Sequence, residues 1–140
     1  MDRLLSDHHH RLEAKARSLL ESAGGADTRA LGVCWNGLEA ELLDHMAAEE
    51  DVILPRYSAY APADACRIRS EHARIRALLG STGVDLELHQ VRLARLRRLV
   101  DELEAHSASE DRAMYPWAVD HVGLVAERLL FARIRHSVGR

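Results

Sequence analysis

The side chains here that could do concerted chemistry are the histidines and a matched pair of glutamates. Nine of the 140 residues are histidine, the side chain that titrates near neutrality and most often ligates metals. Two of them open the same pattern. Glu41-x-x-x-His45-x-x-x-Glu49 is followed by Glu50 and then by Pro55, and Glu102-x-x-x-His106-x-x-x-Glu110 is followed by Asp111 and then by Pro116. Residues four apart on a helix share a face, so each His-x-x-x-Glu can present an imidazole and a carboxylate to one point. His9-x-x-Leu12 and His72-x-x-Ile75 precede the two motifs by 36 and 34 residues. The chain therefore reads as two related helical hairpins, each with one lone His and one His-x-x-x-Glu.

At about 100° per residue, Leu38, Leu42 and Glu49 fall within roughly 60° of the His45 direction. Leu99, Leu103 and Glu110 fall near His106, and Ile68, Ile75 and Leu79 near His72. Two glutamates facing a core are costly to bury unpaired. A cation shared with four imidazoles would neutralise them. Six ligands suit two metals, with His9, His45, His72 and His106 as terminal ligands and Glu49 and Glu110 as bridges. Nitrogen and oxygen donors without thiolate suit iron, manganese or zinc. The Glu-x-x-His spacing of ferritin-like sites occurs nowhere in the chain. His8 competes with His9, because both lie within roughly 60° of the Leu5–Leu12–Leu19 stripe. No catalytic residue is assigned.

The elements that must position these residues are helices. Leu5, Leu12, Ala16 and Leu19 form one stripe; Leu31, Leu38, Leu42 and Met46 a second; Ile68, Ile75 and Leu79 a third; Leu88, Leu96, Leu99 and Leu103 a fourth. No useful stretch alternates with period two. Gly24-Gly25 ends the first segment, and Asp27 or Thr28 can cap the second. Pro55 and Pro62 bracket a short break, with Asp64 an early acid of the third segment. Gly80-Ser81-Thr82-Gly83 is expected to end the third, and Asp85 to cap the fourth. Pro116 interrupts the fourth. The predicted fold is all-α: an up-down-up-down antiparallel four-helix bundle over residues 2–115 with an additional C-terminal helix over 116–136, all within one domain, 1–140.

Length and composition agree. One core fits 140 residues, and 47% apolar with 29% charged residues excludes wholesale disorder. Nineteen basic residues are offset by 22 acids, giving net charge −3, so no basic field points to nucleic acid. The arginines at 92, 95, 97 and 98 are interleaved with leucines and read as helix surface and salt bridges. No apolar run approaches the roughly 18 residues of a membrane span, and there is no signal pattern. Cys34 and Cys66 form no framework. The expectation is a soluble, cytoplasmic protein, without nucleic-acid or membrane partners, as a monomer or homodimer.

At these residues the sequence resembles the hemerythrin-like, or HHE cation-binding, family. The resemblance spans about residues 4–118. It is carried by Asp7-His8-His9-His10-Arg11-Leu12, by His45 through Glu49-Glu50 to Pro55, by Glu71-His72-Ala73-Arg74-Ile75, and by His106 through Glu110-Asp111 to Tyr115-Pro116. It implies a four-helix bundle around two iron ions, oxo- or hydroxo-bridged and spanned by two carboxylates; zinc or manganese would also suit the donors. Members bind dioxygen or nitric oxide, sense redox state or handle peroxide, and some relatives repair nitrosylated iron centres. Oxygen-carrying members have a second histidine one turn after the third-helix histidine. Here that position is Arg76, which weakens transfer of the carrier role.

The expected function is a non-haem di-iron protein binding dioxygen, nitric oxide or peroxide in sensing or stress response. The alternatives are a di-iron enzyme, for peroxide disproportionation or iron-centre repair, and a metal-stabilised interaction module. Glu41 and Glu102, one turn before the motif histidines, are candidates for orienting the imidazoles. Glu13 and Arg76, each four residues after a lone histidine, are expected to meet beside the metals and gate access. Cys34 is expected inside, Trp35 and Trp117 as packing residues, and His89, His121 and His136 on the surface.

Overall fold

The computed structural model describes residues 2–25, 27–123, 127–130 and 132–133. Its elements are α1 (Asp2–Ser22), α2 (Thr28–Val52), α3 (Leu54–Tyr60), α4 (Pro62–Glu87), α5 (Leu93–Arg112) and α6 (Met114–His121). No strand occurs among the described residues. The long helices α1, α2, α4 and α5 pack in a closed circuit: α1 on α2, α2 on α4, α4 on α5, and α5 back on α1. Short α3 and α6 cover one end and touch each other. Helices α1, α2, α4 and α5, together with the added C-terminal α6, make up the predicted architecture.

Local chemistry accounts for most boundaries. Gly24 and Gly25 follow the end of α1, and the Asp27 carboxylate caps α2 by accepting from the Ala30 amide at 3.0 Å. Pro55 and Pro62 fall in the first turns of α3 and α4, where a missing N–H costs no hydrogen bond. The stretch between them, expected as a break, is thus a seven-residue helix.

A larger correction concerns Gly80-Ser81-Thr82-Gly83. It does not end the third helix; α4 runs through it to Glu87. Each glycine costs only about 1 kcal/mol against alanine. Burial of Leu79, Thr82 and Asp85 on the same run outweighs that. Gly83 also brings the α4 backbone close to Trp35, whose Nε1 would lie 3.5 Å from a Cβ there. Asp85 accordingly caps nothing; it accepts from Arg95 at 2.9 Å with both oxygens. The reversal into α5 uses His89 at φ 54°.

At the C-terminal end, the helix expected over 116–136 begins at Met114 and stops at His121. Residues 127–130 are helical again. His136 lies outside the described residues. Cys34 is exposed, not inside. It borders an apolar cavity of about 660 Å³ between α1 and α2, lined also by Leu19, Leu31 and Leu38.

The core has two apolar clusters. Leu12, Leu42, Met46, Ile75 and Leu103 belong to one; Leu5, Ala48, Ile68, Met114 and Tyr115 belong to the other. On α1, α4 and α5 the polar site residues lie between a member of each cluster. His9 sits between Leu5 and Leu12, His72 between Ile68 and Ile75, and His106 and Glu110 between Leu103 and Met114, the first residue of α6.

Candidate metal centre

The layer between the clusters buries His8, His9, Glu41, His45, Glu49, His72, His106 and Glu110, each at 5% exposure or less. Burying so many polar groups is costly without partners, so their mutual geometry decides what they can do. They form two groups. His9, His45, Glu49 and Glu110 bring one ligand atom each within 4.8 Å of one another, and Glu49, His72, His106 and Glu110 do the same. The two glutamates belong to both groups. Glu49 turns Oε1 towards His72 Nε2 at 3.2 Å and Oε2 towards His45 Nε2 at 3.4 Å. Glu110 Oε1 stands 3.1 Å from both His9 Nε2 and His106 Nε2, and its Oε2 is 3.7 Å from His72 Nε2.

The hydrogen bonding of the layer also fits a metal pair. His72 Nε2, Glu49 Oε1 and Glu110 Oε2 are buried and face one another as ion pairs, yet none of the three makes a well-directed hydrogen bond. Buried polar atoms are seldom left so. Cations shared between the groups would satisfy all three, and nitrogen and oxygen donors of this kind suit iron, manganese or zinc.

All four Nε2 atoms face inwards, and all four Nδ1 atoms face a second residue. His72 Nδ1 lies 2.8 Å from Glu50 Oε2, and His106 Nδ1 lies 2.7 Å from Glu71 Oε1. His9 Nδ1 is 3.5 Å from Asp111 Oδ1, and His45 Nδ1 is 2.6 Å from His8 Nδ1. These supports form a ring around the bundle. Each is the sequence neighbour of a site residue on its own helix, and each steadies the histidine of the next: His8 on α1 to His45 on α2, Glu50 to His72 on α4, Glu71 to His106 on α5, and Asp111 back to His9 on α1. Such partners fix the ring orientation and the tautomer of a ligating imidazole.

Tyr115 adjoins the first group. It is fully buried, with its ring centroid 4.8 Å from that of His9. Its hydroxyl donates to Glu49 Oε2 at 2.6 Å and lies 2.5 Å from His9 Nε2, 3.0 Å from His45 Nε2 and 3.5 Å from Glu110 Oε1.

Burial opposes charge on His9, His72, His106, Glu49 and Glu110, yet their pairings outweigh it. Burial would lower His9, but Asp111 and Glu110 raise it to about 10. Against the same burial, Glu110 and Glu49 raise His72 to about 10, and Glu110 raises His106. Burial and the neighbouring Glu110 oppose ionisation of Glu49, but His45 and His72 hold it below the usual range. Glu110 is held well below that range by His106, His72 and His9, against burial. Two groups keep their neutral forms. His8 is lowered to about 3 by burial and by His45, and Tyr115 is raised well above 10 by burial and the two carboxylates. Protons on imidazoles thus balance the two carboxylates, and a cation binding there must displace them.

The structure brings together all six expected ligands, and of the two competing histidines it places His9 in the group and His8 behind His45. The expected supports fare less evenly. Glu41 lies 3.8 Å from His8 Nε2 and is bound by Lys15 and Arg11, so it reaches His45 only through His8. Glu102 pairs with Arg74 at 3.6 Å, and Glu71 takes the place behind His106. Arg76 grips Glu50 with two hydrogen bonds of 2.7 Å and not Glu13. The reason is reach, since Glu50 lies across the α2–α4 contact while Glu13 is on α1. Glu50, Glu71 and Asp111 were visible as acids adjoining ligands; Tyr115 carried no signal beyond preceding Pro116.

His10 and His89 are exposed, and His121 stacks on Trp117 at the surface. Arg95 and Arg92 pair with Asp85, the latter at 3.9 Å. No helix among the described residues is long and apolar enough to cross a membrane.

The family model of the hemerythrin HHE cation binding domain matches residues 1–118 and again 67–137, so the second hairpin is matched twice. No curated protein and no solved structure matches the chain. With a match over most of its length, a helical bundle and buried His/Glu groups that could hold a metal, the chain belongs to the hemerythrin HHE cation-binding domain family.

Proposed function

We propose that this is a non-haem di-iron protein that binds a small ligand, dioxygen, nitric oxide or peroxide, at a carboxylate-bridged metal pair, and that it serves in sensing or stress response. The observation that carries the reading is the sharing of Glu49 and Glu110 between two groups of buried donors. One metal would need one such group; two groups with common carboxylates suit a bridged pair. His9 and His45 would hold one ion, His72 and His106 the other. Iron so held supplies reversible one-electron chemistry and affinity for diatomic ligands.

The chain's own residues do the rest. The supporting ring holds the four imidazoles with Nε2 inwards. The apolar clusters on either side exclude bulk water, which strengthens every charge interaction within the layer. Glu71 borders a polar groove between α4 and α5, lined also by Arg67, Ala105, Ser109 and Arg112, which brings solvent close to the His72–His106 half. The same reading makes the protein cytoplasmic, a monomer or homodimer, with a small-molecule ligand as its partner.

Metal analysis after iron supplementation and chelator-free purification tests this directly. About two irons per chain, with absorption bands that change on adding azide or nitric oxide, are expected. Fewer than about one iron per chain, or zinc bound equally well with no redox response, would overturn it. Oxygen release on adding peroxide would move the reading to catalysis at the same site.

A further inference from the structure

We infer that Tyr115 is itself a metal ligand, a tyrosinate donor to the ion held by His9 and His45. This rests on the di-iron reading above and adds a donor to it. The hydroxyl oxygen lies 2.5 to 3.5 Å from four ligand atoms of that group: His9 Nε2, Glu49 Oε2, His45 Nε2 and Glu110 Oε1. Donors bound to one ion at about 2.1 Å and at right angles lie about 3 Å apart. Tyr115 keeps that spacing to all four, as a fifth donor on the same ion would.

The ring has no room to retreat. Tyr115 has 0% exposure and is packed in the apolar cluster with Leu5, Ile53, Leu54 and Met114, each also at 0%. Withdrawing the hydroxyl from an incoming ion would open that close-packed core. Leaving a neutral phenol pressed against a ferric ion would waste an oxygen donor that iron accepts readily in other proteins. Coordination exchanges the phenolic O–H bond for an iron–oxygen bond; the proton passes to water, and no electron moves. The His9–His45 position then has five protein donors and the His72–His106 position four, so an exogenous ligand is directed to the second.

The chain has three tyrosines, Tyr57, Tyr60 and Tyr115, which makes the test clean. The full-length protein is loaded with ferrous iron, oxidised in air, assayed for iron and examined by resonance Raman. Phenolate ring and C–O vibrations are expected, shifting when the tyrosines carry ring deuterium. They should persist in a Tyr57→Phe/Tyr60→Phe variant and vanish in Tyr115→Phe, with the bound iron retained. If Tyr115→Phe fails to fold, the isotope shift in the double variant still assigns the vibrations to Tyr115. Iron-loaded wild type without tyrosine-sensitive vibrations would overturn the inference and leave the di-iron reading standing. Failure to take up iron at all would remove that reading and this one with it.

Discussion

His8 stands behind His45, Nδ1 to Nδ1 at 2.6 Å, in the place that Glu71 holds behind His106 in the other hairpin. The two positions correspond: each is the residue before a lone site histidine. Three members of the supporting ring are carboxylates and the fourth is an imidazole kept neutral by burial and by His45. A carboxylate support raises the basicity of its imidazole; a neutral imidazole does so less. The two groups of donors are therefore built unequal.

Removing that support should weaken one position and spare the other. His8→Ala leaves His45 Nδ1 without its buried partner and is expected to cost about 10- to 100-fold in affinity for one of two irons, the usual range for a lost outer partner. His10→Ala, on the exposed face, should change nothing. Stepwise iron titration read by calorimetry checks this. Equal weakening of both irons, or none, would show that His8 only fills space.

Arg76 departs from the histidine of the oxygen carriers, and its two hydrogen bonds to Glu50 give it a positioning role. Glu50 in turn holds His72. Arg76→Lys keeps the charge but cannot reproduce the paired geometry. The pair is partly exposed, with side-chain exposures of 38% and 23%, so the expected loss of iron affinity is small, below about tenfold. Glu50→Ala should lose more, because His72 then has no outer partner. An Arg76→Lys loss equal to that of Glu50→Ala in the same titration would mean that Arg76 acts on the site directly.

How much of this was legible in the sequence follows from what sets each feature. The six candidate ligands lie on helical faces fixed by a 3.6-residue period, so spacing alone could converge them. The supporting ring depends on which helices are neighbours and how they are rotated. By period Glu102 lies one turn before His106, but the α4–α5 packing hands His106 to Glu71. Cys34 shows the limit of the same count: three turns from His45, small errors in angle move a side chain from core to groove. Gly80–Gly83 reads locally as a breaker, but the burial of Leu79, Thr82 and Asp85 carries α4 through it. Tyr115 shows in the sequence only as the residue before Pro116, because α5 breaks at Ala113 and no single helical period connects it to Glu110.

Metal-free protein should lose stability as pH rises. His9 and His72 are each raised in the fold, against burial, to about 10 from 6.5. A raised group contributes stability in full below its unfolded value and loses it as pH climbs through the folded one. The melting temperature of the iron-free protein should therefore decline between about pH 6.5 and 10, although the carboxylates stay ionised. The iron-loaded protein, whose imidazoles are already neutral donors, should show a flatter profile in this window. Parallel thermal melts compare them, and superimposable pH profiles would contradict the assigned charge balance.

The sharpest test of the shared carboxylates is Glu110→Gln. The change keeps volume and removes one charge from a fully buried position. In the iron-free protein His9, His72 and His106 can answer by releasing protons, since a neutral imidazole is an accessible state near pH 7. The bundle should therefore stay folded, with helical circular dichroism unchanged. Metal uptake is different, because Glu110 faces histidines of both groups. A donor to one ion would cost one iron; a bridge weakens both, so binding should fall well below one iron per chain. Glu102→Gln, which loses only a surface pair with Arg74, is the control and should bind iron as wild type does. A Glu110→Gln protein that still binds one iron at full affinity would show that the carboxylate serves a single ion.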